Sequence, residues 1–337
     1  MAVEVLVGHV GSHPTHPFYL TIAGRFLFRS RRCHLSSTEP PVREFPIVRV
    51  RLARHPPQPR FYAQLRGAMP SVQSFTIACE ALNEHGTFSE GDVLRGKVTL
   101  ALIKQISAES MFVKVTGDAS VHWTKRVNDR TYTYSADHRY FKLKQPLIPE
   151  WAKDVIPPGT HVYDFVFNLP SCGMPSSFRG SHGKIVYKLT ATLARSWRLD
   201  RTVEQELNFN SRSIPNLLTF LQICTTNKEM GFFSKGNVQM DVILDRRVFA
   251  PGETIAVVAK INNSSSSEMT PKFKLKCDIV YRAQGNTNHE SSTIAIVSDQ
   301  CVTPRTQKTV NCALQVPRDL GLSIQNCNLI SVEYRLK

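Results

Sequence analysis

The 337-residue chain is 42% hydrophobic and 20% charged, a composition typical of a globular protein long enough for two domains. Its net charge is +15, but residues 1–70, with ten Arg, no Lys and three acids, carry +7 of it. No apolar run reaches the length that spans a bilayer, since the nearest, residues 18–28, is short and contains Arg25. These features argue against a membrane-spanning protein and against nucleic-acid binding by the mildly basic remainder.

Residues 1–70 differ in composition from the rest of the chain. They hold nine of the 20 prolines and five of the 11 histidines, and their apolar residues follow no sustained period. This pattern predicts an Arg/Pro-rich disordered extension. An Arg-rich, acid-poor start is also typical of a mitochondrial transit peptide, and that alternative stays open, although no amphipathic helical pattern accompanies it.

From residue 72 onwards the apolar residues alternate with polar ones, which is typical of strands with one buried face. This period divides the chain into two predicted domains, residues 71–212 and 235–337. The residues 213–234 between them are predicted to be a linker. We therefore predict an all-β fold of antiparallel sheets packed as two sandwiches. The clearest alternating sets are Tyr163, Phe165, Phe167 and Leu169; Ile185, Tyr187, Leu189 and Ala191; Phe273, Leu275, Cys277 and Ile279; and Ile330, Val332, Tyr334 and Leu336.

The eight cysteines show neither a C-x-x-C pair nor the Cys/His spacing of a zinc site. Cys79, Cys277 and Cys312 alternate with polar residues and are therefore expected at buried strand positions. Free thiols in a reducing, cytosolic compartment explain this usage better than disulfides do. We predict no metal and no cofactor.

The two halves of the chain repeat each other. The stretch FSEGDVLRGKVTL at 88–100 matches FAPGETIAVVAKI at 249–261 as F-x-x-G-[DE]-x-[LI]. Pro170 and Tyr187 are 17 positions apart, as are Pro317 and Tyr334. The chain is therefore predicted to be a tandem of related sandwiches. Because the sequence stops three residues after Tyr334, the second sandwich is expected to be truncated, with an unpaired edge.

These motifs, together with MFVKVTGDASVHW (111–123), LPSCGMPSSFRGSHGKIVYKL (169–189), INNSSSS (261–267) and ISVEYRL (330–336), resemble the arrestin superfamily, and the alpha-arrestins in particular. The resemblance implies an arrestin-like, immunoglobulin-like N-terminal domain at 71–212 and an incomplete C-terminal one at 235–337. It also implies a non-enzymatic cytosolic adaptor, recruited to the plasma membrane or endosomes, that binds membrane receptors and transporters.

Alpha-arrestins recruit WW-domain ubiquitin ligases through PPxY motifs, and this sequence has no PPxY. The first strand, SFTIACEAL (74–82), also lacks the lysine pair of phosphate-sensing arrestins.

Three groups of residues are candidate sites. Six basic residues are interleaved with tyrosines in segment 124–144 and are candidates for binding an anionic partner. The alternative is that this segment is a solvated hairpin with cross-strand aromatic pairs. Cys172 and His182 could suggest a nucleophile and a base, but the sequence offers no orienting acid. Cys224 is a candidate redox contact with a thioredoxin-like partner, as the resemblance implies. The six basic residues are Lys125, Arg126, Arg130, Arg139, Lys142 and Lys144.

The sequence therefore favours an adaptor for endocytic and ubiquitin-linked trafficking, with peripheral membrane association and no nucleic-acid partner. Two alternatives stay open. One is a structural scaffold in a fixed complex, like the retromer subunit that shares the arrestin fold, and the other is a binding module for anionic ligands or nucleic acid.

Overall fold

The computed structural model describes residues 18–22, 71–148, 154–212, 222–229 and 236–337, and their regular structure consists of β-strands. Within these residues no helix has the length and apolar character that crossing a membrane requires. The strands of the first half are β2 Val72–Cys79, β3 Thr87–Phe88, β4 Val93–Leu102, β5 Ile106–Val127, β6 Arg130–Ile148, β7 Asp154–Ile156, β8 Gly159–Asn168, β9 Phe178–Arg179, β10 Gly183–Arg195 and β11 Arg198–Phe209.

The first sandwich packs two sheets with the strand orders β2-β4-β8 and β3-β11-β10-β5-β6. Alternation along each strand places one set of apolar side chains between the sheets, where they leave water together. Leu94 and Val98 of β4, Val113 and Val115 of β5 and Leu189 of β10 are fully buried there. The period-two prediction is confirmed, because the polar residues between them face outwards.

The second sandwich repeats this arrangement. Its strands are β12 Gln222–Glu229, β13 Asn237–Leu244, β14 Val248–Phe249, β15 Thr254–Asn263, β16 Lys272–Ala283, β17 Asn286–Ser298, β18 Thr306–Gln315 and β19 Ile330–Leu336, together with β1 Phe18–Ile22. The sheets run β12-β13-β15-β18 and β14-β1-β19-β16-β17. The all-β tandem is therefore confirmed.

Two strands lie where the sequence predicted none. β12 falls inside the predicted linker 213–234, and β1 falls inside the extension 1–70. Both are short and lack a long alternating pattern, so pairing with a neighbouring strand, not local sequence, defines them. The rest of 1–70 lies outside the described residues, and its predicted disorder stays a prediction.

The repeated F-x-x-G-[DE] motif forms the same turn twice. Gly91 and Gly252 have φ values of 75° and 83°, a left-handed conformation that glycine adopts without steric cost. The acid that follows closes each turn: Asp92 Oδ2 accepts from the Ser89 N–H at 2.8 Å, and Glu253 Oε2 accepts from the Ala250 N–H at 2.9 Å. The sequence repeat is therefore a repeat of backbone geometry.

The equally spaced tyrosines are equivalent as well. Tyr187 donates its hydroxyl hydrogen to the Pro175 carbonyl at 2.7 Å, and Tyr334 donates to the Gly321 carbonyl at 2.8 Å. Both rings are buried, and burial raises the pKa of both hydroxyls. Each tyrosine thus ties a core strand to the turn-rich connection that precedes it.

The expectation of an unpaired edge on the second sandwich is wrong. β19 pairs with β16 on one side and with β1 on the other, in the register Phe18↔Leu336, Tyr19↔Arg335 and Leu20↔Tyr334. An edge left open exposes unpaired N–H and C=O groups, and here a segment from the start of the chain covers them.

Candidate partner-binding site

Strands β5 and β6 form a long hairpin that carries the basic segment. Its turn, Asn128–Asp129, has φ values of 44° and 54°, positive at both residues as a type I′ hairpin turn requires. Trp123 stacks on Tyr134 across the strands, with ring centroids 5.4 Å apart. The cross-strand aromatic pairing considered from the sequence is therefore present, and it fixes the direction of the hairpin.

The structure does not bring the six predicted basic residues together. Lys125, Arg126 and Arg130 lie at the tip of the hairpin, where Arg126 pairs with Asp129 at 2.9 Å. Arg139, Lys142 and Lys144 lie further along β6, level with residues 114–118 of β5. Ten residues of extended strand, about 33 Å, separate Arg126 from the level of Lys142.

A β-bulge gathers the second set on one face. The register steps from Asp118↔Arg139 to Gly117↔Phe141, so that Tyr140 is an extra residue without a partner in β5. The bulge changes the side-chain alternation, and Arg139 therefore shares the outward face with Lys142 and Lys144. Arg139 Nε lies 2.6 Å from Asp118 Oδ1, a contact that raises the pKa of the guanidinium.

Lys114 of β5 and Lys188 of β10 share this outward face with Lys142 and Lys144, and we call these four residues the lysine face. Their place follows from the register, since Lys144 is opposite Lys114 while Lys142 and Lys188 flank Thr116 on its two sides. Sequence pattern alone does not single out Lys114 and Lys188, because each is a lone lysine in an alternating strand. Only the pairing of three strands shows that they belong to one surface.

The lysine face brings four positively charged side chains onto neighbouring strands. Like charges directly opposite each other in a sheet destabilise it, and Lys114 and Lys144 are such a pair. Glu204 of β11 balances part of the charge: its hydrogen bond with Lys188, at 2.8 Å, lowers the pKa of this carboxyl, and Lys114 adds to the effect. Lys144 Nζ also lies 4.2 Å from the centroid of the Phe112 ring. The remaining positive charge suits an anionic group.

Cys172 and His182 do not form a catalytic pair in the structure. His182 Nε2 lies 3.3 Å from Glu290 Oε1, so an acid absent from the local sequence does accompany the histidine. The neighbouring Ser181, however, donates to Glu290 and not to the imidazole. Tyr281 donates to the other oxygen of Glu290 at 3.3 Å. A nucleophile hydrogen-bonded to a base is the requirement for this chemistry, and the cluster does not provide it.

The same contacts assign the turn-rich segment 169–187 to the junction of the sandwiches. Its residues Ser181 and His182 belong to the first sandwich, whereas Glu290 lies on β17 of the second. Asn326 donates to the Gly173 carbonyl at 2.9 Å, which adds a second contact across the junction. Proline and glycine give this segment the irregular backbone that such docking needs.

The six cysteines whose side chains are described are free: Cys79, Cys172, Cys277, Cys301, Cys312 and Cys327. Burial, with a smaller contribution from Glu80, raises the pKa of Cys79 to about 11. Cys224 lies on β12, opposite Val242 of β13, and its side chain is outside the described residues, so its redox role stays a prediction. Among the described residues no group of three or more His, Cys, Asp or Glu could hold a metal ion.

A second exposed surface, which the sequence did not predict, lies where β10 turns into β11. Trp197, in the turn between β10 and β11, has a relative exposure of 102%, and Leu199, near the start of β11, has 90%. Arg195, Arg198 and Arg201 flank these two residues in the sequence, and desolvation together with the two neighbouring arginines lowers the pKa of Arg195. The sequence signal is the short run RSWRLDR (195–201), in which two large apolar residues interrupt a basic strand end. We call residues 195–201 the arginine hairpin.

Two β-sandwiches whose larger sheets share one strand order, with the segment 169–187 of the first in contact with the second, define a class of tandem β-sandwich proteins. The sequence profile of the arrestin (or S-antigen) N-terminal domain matches residues 75–210, and that of the C-terminal domain matches 234–337. The chain belongs to the arrestin family. Proteins of this family serve in general as non-enzymatic adaptors or scaffolds.

The chain is similar to curated alpha-arrestins. It is 28% identical over 265 residues to mouse arrestin domain-containing protein 4, covering 74% of this chain and 64% of that protein. The human protein of that name is 28% identical over 286 residues, covering 80% and 68%. Rat thioredoxin-interacting protein is 25% identical over 280 residues, covering 79% and 68%. The chain thus spans about two thirds of the length of these relatives.

Proposed function

We propose that this chain is a non-catalytic cytosolic adaptor that binds the tails of membrane receptors or transporters and links them to endocytosis and to ubiquitin ligases. The observation that carries the proposal is the lysine face, which lies at one side of an arrestin N-terminal domain. Four lysines on three neighbouring strands suit a tail that is acidic or phosphorylated.

Strand β6 supplies the second half of the recognition mechanism. Among the described strands it is the last of the order β3-β11-β10-β5-β6, so one of its sides offers backbone N–H and C=O groups. An extended tail that pairs with β6 would run past Lys142 and Lys144. Backbone hydrogen bonds would then give affinity, and the lysines would select for negative charge.

The arginine hairpin supports peripheral recruitment to the plasma membrane or endosomes. Trp197 and Leu199 are exposed side chains of the type that enters the boundary between lipid headgroups and acyl chains. The three flanking arginines add attraction to anionic lipids, each contributing about 1 kcal/mol near such a surface. A hairpin with this composition would hold the adaptor beside the tail that it binds.

The cargo proposal is tested by affinity purification from cells with charge-reversed variants. We expect Lys142→Glu/Lys144→Glu to lose membrane receptors or transporters that the unchanged protein recovers. Lys125→Glu/Arg130→Glu is the matched control, since it makes the same change of charge at the tip of the same hairpin, and it should retain them. Recovery of no membrane protein, or equal losses in both variants, would refute the proposal. One partner in fixed stoichiometry would favour the scaffold alternative.

The membrane proposal is tested by vesicle flotation. The chain should bind vesicles containing phosphatidylserine, and Trp197→Ser/Leu199→Ser should reduce binding about tenfold, since two exposed apolar side chains are lost. Val162→Ser/Val166→Ser is the control, because it removes two apolar residues that are also exposed on the first sandwich. Equal binding by both variants would show that the arginine hairpin is not the membrane contact.

A further inference from the structure

β1 occupies the position in the second sandwich that β11 holds in the first. The larger sheet of the first sandwich has the order β3-β11-β10-β5-β6, and that of the second has β14-β1-β19-β16-β17. The repeated phenylalanines lie on β3 and β14, and the repeated tyrosines on β10 and β19. Strand by strand, β1 is therefore the counterpart of β11, although it comes from the opposite end of the sequence.

The equivalence holds residue by residue. In the first sandwich Leu207 is opposite Tyr187, and Phe209 is opposite Phe88. In the second, Leu20 is opposite Tyr334, and Ile22 is opposite Phe249. Both strands run antiparallel to the tyrosine strand and parallel to the phenylalanine strand. The short sequences Leu-Asn-Phe and Leu-Thr-Ile thus occupy one register, with the same apolar-polar-apolar pattern.

Backbone hydrogen bonding along β19 shows which groups β1 satisfies. The Lys337 N–H donates to the Lys274 carbonyl of β16 at 2.9 Å, whereas the Val332 N–H points the other way and donates to the Ile324 carbonyl, also at 2.9 Å. Because an extended strand alternates the direction of its amides, those of Tyr334 and Leu336 also point away from β16. In the register, Tyr334 is opposite Leu20 of β1, and Leu336 is opposite Phe18.

We propose that the edge between β14 and β19 is a strand-acceptor site, and that residues 18–22 of this chain are its donor strand. The ligand class is an extended peptide with apolar residues at alternate positions, bound by backbone pairing on two sides. This is β-augmentation within one chain. Residues 23–71 connect the donor to β2, so the donor is a tethered ligand and not the arm of a tight hairpin. The proposal does not depend on the cargo.

Disulfide trapping in the full chain tests the register. Tyr19 and Arg335 form a pair that makes no hydrogen bonds across the two strands, so their Cα atoms lie about 4.5 Å apart, within the range of a disulfide. In a background with Cys33, Cys172, Cys224 and Cys301 changed to serine, Tyr19→Cys/Arg335→Cys should oxidise to an intramolecular disulfide. The control Ile22→Cys/Arg335→Cys moves the donor cysteine three residues along β1, about 10 Å of strand, and should react at least about tenfold more slowly.

Hydrogen exchange supplies the second arm of the test. Leu20→Pro removes the N–H that faces Tyr334, and we expect the Tyr334 and Leu336 amides to exchange about tenfold faster or more. Leu20→Val keeps the N–H and is the matched control. An added peptide of residues 16–24 should restore protection to the Leu20→Pro chain, and the same peptide with proline at position 20 should not.

Three results would overturn the proposal. Equal crosslinking of the two cysteine pairs would show that the proposed register is wrong. A disulfide between two chains would show that the donor strand comes from a second copy. Unchanged exchange at Tyr334 and Leu336 in Leu20→Pro would show that β1 does not hold this edge.

Discussion

Replacing each repeated tyrosine by phenylalanine tests whether equivalent hydrogen bonds have equivalent energies. Tyr187→Phe removes the donor to the carbonyl of Pro175, which is buried, so that carbonyl loses a partner with little access to water. We expect a loss of about 2 kcal/mol, within the range for an unsatisfied buried acceptor. Tyr334→Phe removes the donor to Gly321, an exposed residue where water replaces the hydroxyl. The expected loss there is about 0.5–1 kcal/mol, the net value of an ordinary hydrogen bond.

The measurement needs a probe for each sandwich. Trp123 is buried in the first sandwich, so urea unfolding followed by tryptophan fluorescence reports on Tyr187→Phe. The sequence has three tryptophans, at positions 123, 151 and 197, and none after them, so Tyr334→Phe is followed by calorimetry instead. A domain of this size shifts its Tm by about 2–4 °C per kcal/mol, which separates the two variants. Equal losses, or a larger loss for Tyr334→Phe, would refute the argument from water access.

Three further predictions concern single sites. Gly180→Ala should destabilise the junction of the sandwiches, because its Cβ would overlap the hydroxyl of Tyr281, and limited proteolysis should then cut between them sooner than in Gly321→Ala, a control whose added Cβ meets nothing closer than the Tyr334 hydroxyl at 3.8 Å. At pH 7.5 Cys79 should react with iodoacetamide far more slowly than the exposed Cys172 and Cys301, since its pKa of about 11 leaves little thiolate; equal rates by peptide mass spectrometry would contradict this. Glu204→Gln should lower Tm at pH 7, and the difference should shrink as the medium is acidified: the pKa of Glu204 is lowered in the folded state, so its contribution is present above the unfolded value of about 4.3 and is lost as the pH falls through the folded one. A difference in Tm that stays constant on acidification, for as long as the chain remains folded, would rule out the charge of Glu204 as its cause.

Much of the fold could be predicted because its determinants are local. Period-two alternation gave β8, β10, β16 and β19, and the F-x-x-G-[DE] turn with its closing acid marked the same strand entry in both halves. The two missed strands, β1 and β12, are defined by pairing. A five-residue segment such as Phe18–Ile22 has no partner within its own region of the sequence, so no local pattern reveals what it pairs with.

The candidate site was only partly predictable, for a related reason. The sequence grouped six basic residues by proximity along the chain, but a strand hairpin separates such neighbours by about 3.3 Å per residue. The bulge at Tyr140 then placed Arg139 on the same face as Lys142, which no alternation rule gives. Lys114 and Lys188 joined them from other strands. The sequence shows that Trp197 lies among basic residues, but it does not show that the side chain is exposed, because its exposure depends on its place in a hairpin turn.

The different origins of β11 and β1 make the two sandwiches unequal in local stability. β11 follows β10 directly, since β10 ends at Arg195 and β11 begins at Arg198, whereas residues 23–71 separate β1 from β2. Because the entropy cost of closing a connection grows with its length, the long connection is expected to hold β1 less firmly than the two-residue turn holds β11. Local opening is expected to begin at the strand held least firmly. The Tyr334 amide should therefore exchange well before the equivalent amide of Tyr187 in the unchanged chain, and the reverse order would mean that the tether imposes no cost.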